Sequence, residues 1–101
     1  MYHNIIVANR TRTEIIAQIL EIAKDATQKT RIMYGAYMSY SQAQEYLSIL
    51  IGQGLIRHIR EENKYKTTKK GMEFLKAVEK VNEIRSIAYG DGSQSKEMLK
   101  N

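Results

Sequence analysis

The chain has 101 residues, 43% of them hydrophobic and 27% charged, which is one domain's worth plus an extension, and no apolar run approaches the roughly 18 residues of a membrane span. It has no cysteine, which excludes disulfides, thiolate zinc sites and cysteine nucleophiles. Its formal net charge of +5 favours an anionic partner, and with no signal-peptide pattern ahead of Ile5-Ile6-Val7-Ala8 the expected location is the cytoplasm.

Residues 1–10 read as an N-terminal arm or short strand. Thr11 and Glu14 then form a Thr-x-x-Glu capping box, and a wide aliphatic stripe of Ile15, Ile19, Ile22 and Ala26, flanked by Ile16, Leu20 and Ala23, predicts a first helix that packs in the core. Gln18, Glu21 and Asp25 are expected to face water. Thr30 to Tyr34 predicts a short second helix, ended at Gly35 by the positive φ that glycine adopts readily, with Gly35-Ala36-Tyr37-Met38 as the turn. Ser39 with Gln42 gives a second capping box, which opens a third helix that Gly54 closes. Along it Ala43, Tyr46, Leu47 and Leu50 recur at helical spacing and point inward, so Ser41, Gln44, Glu45 and Ser48 lie on the outer side.

A tight hairpin follows. Leu55 to Arg60 and Lys64 to Thr67 read as strands around a Glu61-Glu62-Asn63 loop, with Asn63 suited to positive φ. Alternation places the Tyr65 ring on the core side and the Lys64 and Lys66 ammonium groups outward. Thr68 caps a last helix from about Lys69 to Tyr89. Its apolar positions include a run spaced by three, which drifts around the helix because 3.6 residues make a turn. Met72, Phe74, Leu75 and Val78 are therefore expected in the domain's own core, whereas Val81, Ile84, Ile87 and Ala88 project beyond it and need another surface, most economically a second copy of the same helix. Gly90-Asp91-Gly92-Ser93 should stop this helix, leaving 90–101 as a polar, flexible tail.

These parts in this order predict a mainly α fold with a small β-hairpin: a winged helix-turn-helix over 11–78, and a dimerisation helix whose projecting part is 79–89. From Arg57 to Lys80 there are eight basic residues against four acidic ones, so the excess charge belongs to the hairpin and the helix after it. Duplex DNA is the partner this suits. Arg57, Arg60, Lys64, Lys66, Lys69 and Lys70 would dock electrostatically on phosphates, with base readout by Tyr40, Ser41, Gln42, Gln44 and Ser48, where Gln suits adenine and Ser either kind of base. Glu45 would be repelled by phosphates unless it accepts from a cytosine amino group.

The block Lys29-Thr30-Arg31-Ile32-Met33-Tyr34-Gly35-Ala36, with Ser39-Tyr40, Tyr65-Lys66 and Thr68-Lys69-Lys70-Gly71, resembles a family of small basic archaeal winged-helix chromosomal proteins of about ten kilodaltons. The resemblance covers roughly Thr11 to Ile84. It implies DNA binding by a homodimer joined through an antiparallel coiled coil of C-terminal helices, in a chromatin-like or transcription-regulatory role at the nucleoid. It also implies that Ser39 to Gln53 is the recognition helix, that Arg57 to Lys66 is the wing, and that Arg31 reaches a phosphate or a neighbouring carboxylate. The chain departs from the family in having Tyr37-Met38 in place of Asn-Leu, no Lys or Arg on the third helix, and an early breaker at Gly90.

The alternative from another class is a protein-interaction module whose basic face binds an acidic protein, suggested by the uncharged third helix and the acidic hairpin tip. An enzyme is not expected: no Gly-rich phosphate loop, paired carboxylates or Ser-His-Asp spacing is present. Neither is a metal or other cofactor, since His3 and His58 are isolated.

Overall fold

Local capping signals act where the sequence puts them. In the computed structural model, which describes residues 10–89, the Thr11 hydroxyl accepts from the Glu14 N–H at 3.0 Å and the Glu14 carboxylate accepts from the Thr11 N–H at 2.8 Å. Helix α1 (Arg12–Ile22) starts there. The expected arm, the stop at Gly90 and the tail lie outside the described residues, apart from Arg10, as does His3. Gln18 is drawn away from water: its amide donates to the Gly35 carbonyl at 3.2 Å, and its oxygen accepts from Arg10.

Helix α2 (Lys29–Gly35) ends differently from the expectation. Gly35 is its last helical residue, and the left-handed residue is Tyr37, at φ 56°. The Tyr37 N–H donates to the Tyr34 carbonyl at 3.3 Å and the Met38 N–H to the Met33 carbonyl at 3.0 Å, a Schellman closure with tyrosine where glycine is usual. Gly35 serves packing instead: a Cβ there would lie 2.8 Å from Cδ1 of Ile22, so its bareness lets α2 approach α1.

Helix α3 (Tyr40–Gly52) begins with the second capping box, in which the Ser39 hydroxyl accepts from the Gln42 N–H at 3.2 Å and the Gln42 side-chain oxygen accepts from the Ser39 N–H at 2.9 Å. It ends in a conventional Schellman motif. Gly54 takes φ 77°, the Gly54 N–H donates to the Ile51 carbonyl at 3.0 Å, and the Leu55 N–H to the Leu50 carbonyl at 2.9 Å. Leu50 and Leu55 are both buried in the core, the apolar pairing this motif favours.

Strands β1 (Ile56–Ile59) and β2 (Lys64–Thr67) pair antiparallel, with Ile56 opposite Thr67 and His58 opposite Tyr65. The loop between them is Arg60 to Asn63, one residue longer than expected, because Arg60 leaves the strand to accept from the Asn63 N–H. Asn63 has φ 53°. A third element joins β2: Thr27 and Tyr65 exchange two backbone hydrogen bonds of 3.0 and 2.7 Å. The segment between α1 and α2 thus contributes a single bridge to the hairpin. The buried Thr67 hydroxyl donates to the Leu20 carbonyl at 2.7 Å, satisfying a group near the end of α1 that has no helical partner to spare.

Helix α4 (Lys69–Tyr89) is capped by Thr68, whose hydroxyl accepts from the Gly71 N–H at 3.1 Å and donates to the Gly54 carbonyl at 2.6 Å. Leu75 enters a core made by Ile19, Leu20 and Ala23 of α1 and its C-cap, Ile32, Leu47, Leu50, Ile56 and Tyr65, while Met72 and Phe74 pack on its edge. Beyond Val78 the helix runs past the start of α1, where Val81, Asn82 and Arg85 line a hollow with Thr11, Thr13 and Glu14, and its apolar side chains are largely exposed. Val81, Ile84 and Ile87 are 52%, 62% and 60% exposed, and Ala88 is exposed with them.

Candidate nucleic-acid interface

The capping box fixes where α3 starts, and the buried Ala43, Leu47 and Leu50 fix its roll. Ser41, Gln44, Glu45 and Ser48 are left on the exposed side, as the periodicity predicts. Tyr40, in the first turn, is also exposed. Lys29, at the first position of α2, reaches across to both Tyr40 and Gln44. Its ammonium donates to the Gln44 side-chain oxygen and to the Tyr40 hydroxyl at 3.5 Å, and it lies 5.0 Å from the centre of the Tyr40 ring, within cation–π range. Ser39 and Gln42 are committed to each other in the cap, so the part of Gln42 available to a ligand is its amino group.

A polar cleft of about 320 Å³ separates this helix start from the hairpin. It is lined by Gln28, Lys29, Thr30, Tyr40, Asn63 and Tyr65, so the start of α2, the start of α3 and the hairpin tip share one surface. The His58 Nε2–H donates to Asn63 Oδ1 at 3.1 Å across the tip, and the His58 ring stacks on Tyr65 with centroids 4.6 Å apart.

The other face of the hairpin carries Arg57 directly opposite Lys66 and Ile59 opposite Lys64. Like charges placed opposite each other oppose folding. Lys66 relieves the conflict by turning back: its ammonium donates to the Lys24 carbonyl at 2.9 Å, so the expectation that it points outward does not hold. Lys64 is half-buried with its ammonium 3.8 Å from Glu62, and Arg57 and Arg60 are exposed. Lys69 and Lys70 sit in the first turn of α4, where a helix dipole disfavours cations. Lys70 instead donates to the Gln53 carbonyl at 2.8 Å, at the negative end of α3. Arg31 is exposed, with no carboxylate in ion-pair distance among the described residues.

The helix pair, its turn and the hairpin match a known family along most of the chain: the pattern described as winged helix-turn-helix covers residues 9–86. The chain belongs to the winged helix-turn-helix family. The crystal structure of Sso10a-2, a DNA-binding protein from Sulfolobus solfataricus, is similar to it, with a TM-score of 0.71 and 30% sequence identity over 91% of this chain and 99% of that one. An uncharacterised protein of Methanocaldococcus jannaschii, MJ0287, is 34% identical over 76 residues, which are 74% of this chain and 76% of that protein. In the winged-helix frame α3 is the second helix of the helix-turn-helix and the 60–63 loop is the tip of the wing. No helix among the described residues is long and apolar enough to cross a membrane, and no group of three or more metal-ligating side chains occurs among them.

Three features of this surface escape the sequence patterns. Lys29 precedes the segment predicted as helical, and its partner Gln44 lies 15 residues away, beyond any local periodicity. The Thr27 bridge has no alternating strand pattern to announce it. Tyr34 and Tyr37, which no helical stripe assigns to a face, are 73% and 51% exposed and extend the surface around the turn.

Proposed function

We propose that the protein is a homodimeric duplex-DNA-binding protein, resident at the nucleoid and serving chromosomal organisation or transcription regulation. The observation that carries this reading is the shared cleft, in which Tyr40 at the start of α3 lies beside the tip of a hairpin whose flanks are basic. Ser41, Gln44 and Ser48, with Tyr40, would meet base edges, while Arg57, Arg60, Lys64, Lys69 and Arg31 would meet phosphates. DNA binding by the Sulfolobus protein supports the same reading.

The dimer is proposed from α4. Phe74, Ala77, Val81, Ile84 and Ala88 follow one another at alternating spacings of three and four, the repeat that keeps one seam facing a partner helix. Among the described residues the outer part of that seam is exposed. A second copy laid along it would place two α3 helices and two wings against one duplex.

Fluorescence anisotropy with a mixed-sequence duplex of about two helical turns, taken from roughly 50 to 300 mM salt, tests the proposal. A steep loss of affinity, equivalent to about four to eight phosphates, is the expected result. Absence of binding at the lowest salt would refute it. The exposed Tyr34, Tyr37 and Tyr40 favour, as a second reading, a surface for an acidic protein, which would then be recovered in a nuclease-insensitive complex.

A further inference from the structure

We infer that the outer face of α3 reads base edges as a hydrogen-bond donor, so that Gln44 selects guanine and not adenine. This rests on the reading of the protein as a duplex-DNA binder. A free glutamine carboxamide offers one acceptor and one donor group side by side, which is what pairing with the N7 and N6 of adenine requires. Gln44 is not free. The group facing it is the Lys29 ammonium, which has three donors and no acceptor. Only the carboxamide oxygen can face it, which turns the amino group toward the groove.

Lys29 is itself held in place. It is half-buried, lies over the Tyr40 ring and donates to the Tyr40 hydroxyl, so the Tyr40 proton is directed elsewhere and becomes another outward donor. Gln42 repeats the pattern one position ahead of Ala43, its oxygen taken by the Ser39 N–H. Both carboxamides of the helix thus present amino groups. Guanine shows two adjacent acceptors in the major groove, N7 and O6, whereas adenine shows one acceptor and a donor that would oppose the Gln44 amino group. Glu45, exposed next to Gln44, is acceptor-only when ionised and suits the amino group of the paired cytosine. The face therefore fits a G·C pair.

The test is selection of bound sites from a randomised duplex pool, followed by anisotropy on the selected site. The wild-type protein should enrich guanine at one position of each half-site, and 7-deazaguanine there, which lacks the N7 acceptor, should weaken binding by about five- to tenfold. Gln44→Ala should abolish the preference at that position. Lys29→Met, which frees the oxygen, should move it toward adenine. Enrichment of adenine by the wild type, no base preference, indifference to 7-deazaguanine, or an unshifted preference in either variant would overturn the inference while leaving duplex binding in place. Failure of the wild type to bind any duplex at roughly 50 mM salt would overturn the functional proposal as well.

Discussion

Gly71→Ala tests how tightly α4 is joined to the hairpin and to the segment that leads into it. A Cβ built at Gly71 lies 2.3 Å from the Leu55 carbonyl oxygen and 2.6 Å from Cγ2 of Thr67, where an ordinary contact is roughly 3.5 Å. Neither neighbour can yield cheaply. Leu55 is fixed by its N–H on the Leu50 carbonyl at 2.9 Å and by its own carbonyl, which accepts from Thr68 N–H at 3.0 Å. Thr67 is fixed by its buried hydroxyl. The start of α4 must therefore shift by about 1 Å, disturbing the Thr68 cap and the seating of Leu75, at a cost of about 3 kcal/mol, the upper part of the usual overpacking range. For a domain of this size that lowers the midpoint of thermal unfolding by roughly 12 to 24 °C. Gly52→Ala is the internal contrast: nothing lies within 4 Å of its Cβ, and alanine near the end of α3 should stabilise by up to about 1 kcal/mol. Far-UV circular dichroism melts at one fixed protein concentration compare the three proteins. A Gly71→Ala midpoint within about 3 °C of wild type would refute the close-approach reasoning.

Lys64→Ala should make the salt dependence of duplex binding shallower by about one unit, whereas Lys66→Ala, whose ammonium is engaged by the Lys24 carbonyl, should leave the slope unchanged. Equal effects of the two in salt titrations would place Lys66 in the interface. Ile84→Asp should leave the helical circular-dichroism signal in place while light scattering reports a monomer; a surviving dimer would show that the α4 seam is not the interface. Thr67→Val keeps the shape but removes the donor to the Leu20 carbonyl, so chemical denaturation should show a loss of about 1–3 kcal/mol.

What the sequence disclosed is what short-range chemistry decides. Thr11, Ser39 and Thr68 cap the helices they precede, Gly54 and Asn63 take positive φ, and the inward and outward residues of α3 divide as their spacing says. Each of these depends on atoms a few residues away. Gly35 shows the limit: its pairing with a positive φ is sound as a local preference, yet Gly35 stays helical, with no room for a Cβ beside Ile22, and the left-handed position falls to Tyr37. Alanine-like strain of about 1–2 kcal/mol accompanies a non-glycine residue there, and the two backbone bonds that close α2 offset it. In the same way the charge pattern showed that the hairpin is basic but not which ammonium groups stay available, because Lys66 and Lys70 find carbonyls 42 and 17 residues away. The Lys29 contact to Gln44, which turns that carboxamide on the outer face of α3, is tertiary throughout.

Backbone amide chemical-shift mapping during a titration with duplex tests the proposed contact of the α3 face and the wing with DNA. The perturbed amides are expected to cluster at Lys29, Tyr40, Ser41, Gln44, Arg57 and Lys64, with α1 little changed. Perturbations confined to α4, or none at all at a duplex excess and low salt, would contradict that contact.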